Sequence, residues 1–336
     1  MSTSIDPIRI HAGASVCAVI VSRIGDTLLV TPALRALRAA CAHLSVLAHP
    51  QRMDVLRHLD FIDELAPITK NSAWFRSVIV RKRHDVAICW GAEPSLLRYC
   101  LRVADRSVVF DHPVFRPIKG QVLRVPVPED ASLHAVRERA LLVEAASVEV
   151  RDVRLAYRVT EDERRHARRW IAQQGSKNGS LLVGLQPFSF PTKAHRDWPM
   201  ERFLELARRL CAAMPNAHLI VLGDAAARER VSAFEKALPG RVTIAAGQLA
   251  LRESAAVMRE LALYVGVDTG PTHIAGALGI PMVALYHPRY PGRNLMPLDN
   301  PRCITLEGSV DAGMEGIEVD AVFSTASGLL MSSIKP

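Results

Sequence analysis

The chain carries, at residues 19–32, the stretch VIVSRIGDTLLVTP, in which an apolar run meets Gly25 and Asp26 and then a segment with helical spacing of apolar residues. An apolar run that ends at such a turn predicts a strand followed by a helix. A second stretch with the same layout, LYVGVDTGPTH, occupies residues 263–273. Open α/β sheets bind ligands at the carboxyl ends of their strands, so both acidic turns are candidate sites. Two such sites in one chain predict two α/β domains that face each other across a cleft.

Length and composition fit this organisation. A chain of 336 residues with 49% apolar residues can build two domains, each with a core of its own. No apolar run approaches the roughly 20 residues of a membrane span, and residues 1–10 lack the basic and apolar regions of a signal peptide. The six cysteines are scattered, which favours small core residues over a metal site. We therefore expect a cytoplasmic protein without a bound metal.

The net charge of +8 comes from 42 basic and 34 acidic residues, and much of the excess lies between Trp74 and Arg124. This distribution admits two interpretations. One is a solvated surface, and the other is attraction to an anionic partner such as a phosphorylated glycolipid or an acidic membrane surface. We do not expect nucleic acid as a partner, because no aromatic platform or nucleic-acid motif accompanies the charge.

Strand-like and helical segments alternate along the chain, which predicts parallel sheets covered on both faces. The two domains are predicted to meet near residue 155, with domains at 1–155 and 156–336 and the last helix as a candidate for packing back on the first domain. Thr160 and Glu163 form a capping box that opens a helix to about Gln174. The expected strands are Val16–Val21, Leu44–Ala48, Val86–Cys89, Ser107–Phe110, Leu181–Leu185, His218–Leu222, Val242–Ile244, Leu263–Val267 and Met282–Tyr286. The expected helices are Thr31–Cys41, Met53–Leu59, Pro94–Val103, His134–Ala146, Met200–Met214, Ala225–Ala237, Leu251–Leu261 and Thr272–Leu278, while residues 110–130 are expected to be loop or edge structure.

The turn at residues 268–270 precedes a predicted helix. Asp268 or Thr269 can cap the free amides of that helix, and Gly270 allows a ligand to approach the backbone closely. The unpaired amides of a helix start suit a diphosphate, and His273 lies one turn further on. The alternative is an ordinary capped helix with a packed histidine.

The segment 186–199 follows another predicted strand and contains Lys193 and Arg196. Cations at this position can neutralise a leaving diphosphate without a metal. The alternative is a connecting loop in which Trp198 is a packing anchor. In the first half, Trp90 and Glu93 follow a strand and either contact an acceptor or cap the next helix.

Three segments resemble the hallmarks of glycosyltransferase family 9, the family of the ADP-heptose:lipopolysaccharide heptosyltransferases. They are RIGDTLLVTP at residues 23–32, RDWP at 196–199 and DTGPTH at 268–273, and the segment GMEGIEVDAV at 313–322 is similar to the entry of the family's final helix. The resemblance covers nearly the whole chain. It implies the GT-B fold, with two Rossmann-like domains, and a metal-independent inverting transfer from a nucleotide-diphospho-sugar, ADP-heptose in the best-matching case, to an acceptor hydroxyl.

The resemblance also implies roles for particular residues. Asp26 matches the proposed general base, which takes the proton of the acceptor hydroxyl, and Arg196 matches a phosphate-binding cation. The implied donor-binding residues are Ser189, Thr192, Lys193, Arg196, Asp268, Thr269, Gly270 and His273. The implied acceptor-binding residues, in the first domain, are Arg23, Gly25, Trp90 and Glu93. The expected partners are a nucleotide sugar and an anionic glycolipid, with peripheral contact at the cytoplasmic face of the inner membrane as a further expectation.

The chain departs from the family pattern at the nucleoside. Ala227 stands where some heptosyltransferases have an acidic residue, and Asp224 or Glu229 could substitute for it. The identity of the donor therefore stays open. The identity of the acceptor is open as well, and a surface polysaccharide or a protein is an alternative. A non-catalytic nucleotide-sugar-binding protein is a further alternative, although it would not need a base at Asp26. A dinucleotide oxidoreductase is disfavoured, because no Gly-x-Gly-x-x-Gly surrounds Gly25.

Overall fold

The computed structural model describes residues 8–115, 118–130, 132–177 and 179–334. The chain divides into two compact units, Met1–Arg158 and Val159–Pro336. This division lies three residues beyond the boundary that the sequence predicts.

The first unit is built on a six-stranded parallel sheet with the strand order β3-β2-β1-β4-β5-β6. Its strands are β1 (Ser15–Ile20), β2 (His43–Ala48), β3 (Glu64–Pro67), β4 (His84–Cys89), β5 (Ala104–Phe110) and β6 (Val122–Val125). Its helices are α1 (Ile24–Leu29), α2 (Thr31–Ala40), α3 (Lys70–Ile79), α4 (Pro94–Val103) and α5 (Ala135–Glu144), with 3-10 turns at Met53–Val55 and Pro113–Phe115.

The second unit repeats this architecture with the strand order β12-β11-β10-β7-β8-β9. Its strands are β7 (Leu181–Gln186), β8 (Ala217–Val221), β9 (Val242–Ile244), β10 (Leu263–Val267), β11 (Met282–Tyr286) and β12 (Cys303–Glu307). Its helices are α6 (Glu161–Gln173), α7 (Met200–Ala213), α8 (Arg228–Val231), α9 (Ala233–Ala237), α10 (Leu251–Arg259), α11 (Gly270–Ala277), α12 (Gly292–Leu295) and α13 (Val319–Ile334), with 3-10 turns at Pro191–Arg196, Ala225–Ala227 and Met314–Gly316. Helix α13 packs on α7, β10 and β11 within this unit.

The two sheets share one topology. Counted from the first strand of each unit, both orders read 3-2-1-4-5-6, which is the doubly wound Rossmann order. The predicted pair of Rossmann-like α/β units is therefore confirmed. In such a sheet the strand order reverses between the first and fourth strands, and ligands bind outside the carboxyl ends there. This switch point lies between β1 and β4 in the first unit and between β7 and β10 in the second.

Continuous apolar runs explain why the central strands form. All residues of β10 and β11 are buried, as are all but the first of β1, because helices cover both faces of a parallel sheet. The expectation that most cysteines are small core residues is confirmed, since five of the six are buried and only Cys303 is partly exposed.

Several predicted elements are wrong, and several observed elements were not predicted. The helix expected at Met53–Leu59 is only a 3-10 turn, and Gly25 and Asp26 lie inside α1 rather than in a turn before a helix. The expected helix Ala225–Ala237 is broken into a 3-10 turn, α8 and α9. The sequence prediction lacked β3, α3 and β12. Strand β6 forms one end of its sheet, in agreement with the loop or edge structure predicted for residues 110–130.

No helix among the described residues combines the length and apolar character that crossing a bilayer requires.

Candidate functional site

The first candidate site surrounds Asp26, in the first turn of α1 just after β1. Its Oδ1 lies 3.5 Å from Nη2 of Arg139 on α5, and its side chain is 41% exposed. The helix starts at Ile24 because the Arg23 carbonyl accepts both the Thr27 amide and the Thr27 hydroxyl, at 2.9 and 2.8 Å. A guanidinium thus faces a carboxylate that stays open to solvent, which suits a group that must accept a proton from a bound hydroxyl.

Trp90 joins this site from the end of β4. Its Nε1 donates to the backbone carbonyl of Arg139 at 2.9 Å, and its amide donates to Val19 on β1 at 3.1 Å. Asp26, Trp90 and Arg139 therefore meet at the switch point of the first sheet. Sequence reasoning missed Arg139, which is 113 positions from Asp26 and carries no motif of its own.

The other predicted acceptor-side residues are placed as follows. Glu93 forms an ion pair with Lys70 at the start of α3. Arg23 is the N-cap residue of α1 and is exposed, while Gly25 is the second residue of that helix. Their contact with an acceptor stays a prediction.

The second candidate site surrounds Asp268, at the end of β10. Arg196 makes an ion pair with Asp268 Oδ2, and the two side chains are 18% and 3% exposed. Nε2 of His273 lies 3.8 Å from the other carboxylate oxygen. A buried carboxylate needs such partners, because burying an unpaired charge is costly. The predicted donor residues Arg196, Asp268 and His273 are therefore brought together at the switch point of the second sheet.

The guanidinium of Arg196 is also stacked on an aromatic side chain. Its Cζ lies 4.2 Å from the centre of the Tyr290 ring, a cation–π contact. The rings of His195, His287 and Tyr290 lie 5.5–6.4 Å from one another. Burial, together with the nearby His195 and Arg196, lowers the pKa of His287. Arg196 is thus held between a carboxylate and a ring.

Helix α11 starts at Gly270, two residues after Asp268. Thr269 occupies the N-cap position without a side-chain cap, and Gly270 and Pro271 form the first turn. The prediction that Asp268 or Thr269 caps the helix is wrong, because no described side chain caps its N-terminus and the carboxylate of Asp268 contacts Arg196. The helix is instead fixed by Thr272, whose hydroxyl bonds to the Val267 carbonyl and to Tyr264. A helix start without a side-chain cap fits the predicted anion site.

The loop at 187–199 is held by an internal carboxylate. Asp197 Oδ1 lies 2.6 Å from the Ser189 hydroxyl and accepts the Ser189 amide at 2.7 Å. Burial raises the pKa of Asp197, although the Ser189 bonds and the Arg230 charge oppose this shift. The Ser189 hydroxyl also contacts the Lys193 carbonyl at 2.8 Å, so it is engaged within the loop. Thr192 is exposed, and of the two predicted hydroxyls it is the one that faces solvent.

The end of this loop is anchored in the core. Trp198 is fully buried, and its Nε1 donates to the Ile317 carbonyl at 3.0 Å. Arg202 on α7 donates to the same carbonyl. The interpretation of Trp198 as a packing anchor is confirmed.

A pocket of about 480 Å³ opens beside the loop. Polar side chains from four segments line it: His195, Asp197, Arg230, His287 and Glu315. Sequence reasoning missed Arg230, whose Cζ lies 3.4 Å from the Phe188 ring centre and whose Nη2 lies 3.7 Å from Asp197. The volume and the mixed lining are typical of a small-molecule site.

The residues considered for the nucleoside have different surroundings. Ala227 is buried, Asp224 accepts the Ala227 amide at 3.0 Å and so caps a 3-10 turn, and Glu229 is exposed. In the described part of the chain, no three His, Cys, Asp or Glu side chains are close enough together to hold a metal ion.

Sequence similarity relates the chain to known proteins. The model of glycosyltransferase family 9 (heptosyltransferase) matches residues 117–307, more than half of the chain. Lipopolysaccharide heptosyltransferase 1 of Pseudomonas aeruginosa is 34% identical over 111 residues, which are 33% of this chain. The chain thus spans only 30% of the length of that curated relative.

Two solved structures share the fold over nearly the whole chain. The glycosyl transferase family 9 structure from Veillonella parvula has a TM-score of 0.84 at 21% identity and covers 97% of this chain and 100% of its own. The ADP-heptose lps heptosyltransferase II of E. coli has a TM-score of 0.79 at 18% identity, with 96% and 100% covered.

Proposed function

Since the chain belongs to glycosyltransferase family 9, we propose that it transfers a heptose from ADP-heptose to an inner-core lipopolysaccharide acceptor, with inversion and without a metal. The observation that carries the proposal is the pair of Arg196 and buried Asp268 at the switch point of the second sheet. This pair lies at the start of α11, where a helix terminus and a cation favour a diphosphate.

In the proposed reaction, Asp26 takes the proton of the acceptor hydroxyl as its oxygen forms a bond to the anomeric carbon of the donor sugar. The bond from that carbon to the diphosphate breaks, and the electron pair leaves with ADP. Arg196, Lys193 and the first amides of α11 neutralise the charge that develops on the leaving diphosphate. Asp268 positions Arg196 and does not touch phosphate, because its own charge would repel it.

Arg139 is a positioning residue in this scheme. Its guanidinium faces the Asp26 carboxylate, and its backbone carbonyl accepts the Trp90 indole. The side of the first unit that carries Asp26, Trp90 and Glu93 would receive the acceptor. We further propose that the protein acts in the cytoplasm, in peripheral contact with the inner membrane, and that nucleic acid is not among its partners.

A second candidate is a family 9 transferase with another nucleotide sugar. Ala227 is buried and carries no acidic group for a nucleoside, and Arg230 lies against the Phe188 ring. Arg230 lines the pocket beside the 187–199 loop, and a cation there favours a different hydrogen-bonding pattern from that of a carboxylate. The two candidates share the reaction and differ in the donor.

Thermal unfolding with ADP-, GDP- and UDP-sugars separates these candidates. A ligand at a hundred times its Kd stabilises the native state by about 2.7 kcal/mol, which is a shift of several degrees in Tm. We expect ADP-heptose to give the largest shift, and a larger shift with a GDP- or UDP-sugar supports the second candidate. No shift with any of them favours a protein that does not use nucleotide sugars.

Transfer is then measured with the preferred donor before and after thorough chelation. Unchanged turnover is the expected result, whereas a strict need for a divalent cation contradicts the metal-independent scheme.

A further inference from the structure

Helix α3 turns an apolar face to the surface of the first unit. The exposed fractions of Trp74, Phe75, Val78 and Ile79 are 58%, 62%, 73% and 67%. Their spacing of i, i+1, i+4 and i+5 places them along one stripe of the helix. On the other side of the helix Ala73 is buried, and α3 packs on α4. The stripe is therefore not the face by which α3 is held in the fold.

The concentration of these side chains distinguishes them from ordinary surface residues. Single exposed apolar side chains are common in folded proteins. Among the described residues, ten large apolar side chains are exposed, and four of the ten lie on this one helix. A contiguous patch of this kind marks an interaction surface.

Cations flank the apolar stripe. A groove of about 660 Å³ runs beside it, with Trp74 and Val78 in its wall. Four basic side chains and one acidic side chain also line the groove, namely Lys82, Arg98, Arg102, Lys119 and Asp105.

Most of this positive charge is not neutralised by the protein. Lys82 is paired with Asp105 at 2.6 Å. Arg98, Arg102 and Lys119 are exposed, and the described part of the chain gives them no ion-pair partner. The groove next to the apolar stripe therefore carries a net positive charge.

We propose that the α3 stripe and the basic groove together dock the protein on a bilayer that contains anionic lipids. Trp74, Phe75, Val78 and Ile79 would enter the interface between headgroups and acyl chains, while the groove cations contact lipid phosphates. A bilayer offers an apolar layer and a layer of negative charge at the same surface, and interfacial helices combine these two features. This inference rests on the proposed function, because that function supplies the lipid-linked acceptor. Docking itself can be measured without sugar transfer.

Vesicle binding tests the apolar part of the surface. The intact protein is sedimented with vesicles of phosphatidylethanolamine and phosphatidylglycerol, without nucleotide sugar or acceptor. We expect the combined variant Trp74→Ser, Phe75→Ser, Val78→Ser and Ile79→Ser to lose at least about tenfold in the partition coefficient. All four side chains are exposed, so the fold should survive, and circular dichroism verifies this. The control Val310→Ser removes an apolar side chain that is 90% exposed in the second unit and should bind as the unchanged protein does.

Two measurements test the basic groove. One varies the charge of the lipid headgroups, and the other uses the double variant Arg98→Ser with Arg102→Ser. Neutral phosphatidylcholine vesicles should bind the unchanged protein much less, and each arginine removed should weaken binding to anionic vesicles about fivefold. Raising the salt concentration should reduce these differences.

A local probe shows whether α3 itself meets the lipid. Brominated acyl chains should quench part of the tryptophan fluorescence of the bound protein. Trp74→Phe should bind nearly as well and lose most of this quenching, because Trp198 is buried and Trp90 and Trp170 lie outside α3 and are only partly exposed.

Three outcomes overturn the proposal. They are absence of binding to anionic vesicles, equal binding by the fourfold serine variant, and a concentration-dependent self-association that the variant abolishes while vesicle binding is absent. The last outcome assigns the stripe to a second copy of the chain. None of these results affects the nucleotide-sugar shifts, so failure here is distinguishable from failure of the proposed function.

Discussion

The carboxylates of Asp26 and Asp268 both lie at a switch point, after the first strand of one sheet and after the fourth strand of the other, and their surroundings are opposite. Each follows a strand that borders the switch point of its sheet. The Asp26 side chain is 41% exposed and has Arg139 at 3.5 Å, whereas Asp268 is 3% exposed and makes an ion pair with Arg196. One carboxylate is accessible to a substrate, and the other is enclosed by the protein.

This difference indicates different roles for two aspartates that both lie at the carboxyl edge of a sheet. A general base must reach the proton that it takes, and Asp26 meets that requirement. A buried and paired carboxylate holds its partner in place instead, as Asp268 holds Arg196. Topology places both carboxylates at sheet edges of the kind that bind ligands, and its exposure is the reason why Asp26 is the one that we propose as the base.

The largest effect should come from Asp26→Asn. Removing a general base lowers kcat by about 10²–10⁴-fold, while the donor-induced rise in Tm should stay as it is. The control Asp60→Asn changes a carboxylate that is 79% exposed in the same unit and should leave kcat alone. Undiminished turnover by Asp26→Asn would rule out Asp26 as the general base.

The next largest effect should come from Arg196→Met, which leaves Asp268 buried without its cation. Breaking a buried pair costs about 3 kcal/mol of unfolding free energy, and donor affinity should fall as well. Denaturant unfolding and calorimetric titration with the nucleotide sugar measure the two losses separately. Arg208→Met, at an exposed position of α7, serves as the control.

The double variant Arg196→Met with Asp268→Leu separates stability from binding. With both charges removed, most of the unfolding free energy should return, but donor affinity should not. Recovery of donor affinity in the double variant would mean that Arg196 acts only as the partner of Asp268.

A smaller effect is expected for Arg139→Met, which removes the guanidinium beside Asp26. Because Arg139 positions the base and touches no reacting atom, we expect kcat to fall about tenfold with the donor affinity unchanged. Arg137→Met is a matched control, since Arg137 is on the same helix and donates to the Val150 carbonyl. A rise in KM with constant kcat would indicate a role in acceptor binding instead.

The smallest effect concerns Glu163, a carboxylate with a purely structural setting. Burial opposes its ionisation, but bonds from Arg252 and Thr160 outweigh this and hold its pKa at about 2. Its contribution to stability is therefore present above its ordinary pKa of 4.5 and is lost as pH falls through about 2.

Glu163→Gln should consequently cost about 1 kcal/mol of unfolding free energy at neutral pH, allowing for solvent screening. The difference in unfolding free energy between the variant and the unchanged protein should shrink as pH falls below about 4. Glu161→Gln, a 66% exposed neighbour, should have little effect at either pH. A difference for Glu163→Gln that does not depend on pH would contradict the pKa assignment.

Much of the fold could be predicted because the buried strands are continuous apolar runs. Strand β10 and its successor β11 were predicted at their observed bounds. Helix α3 was missed because its apolar side chains face outward, whereas the usual pattern assumes that they face the core. Edge strands β3 and β12 are half-exposed and lack such runs.

The candidate site was predictable in part. The pairing of Arg196 with Asp268 joins residues 72 positions apart, and they were assigned to one site from the family resemblance. Arg139 and Arg230 could not be found in this way, because a contact between distant helices and loops depends on how the chain folds. No periodicity or motif in the sequence indicates such a contact.

The carbonyl of Ile317 receives both Trp198 and Arg202, and this arrangement has a consequence for the evolution of the chain. The loop that presents Arg196 is fastened to a residue some 120 positions downstream, next to α13. Replacements that move the backbone at Ile317 would therefore shift the loop that presents Arg196 while every residue of that loop stays the same.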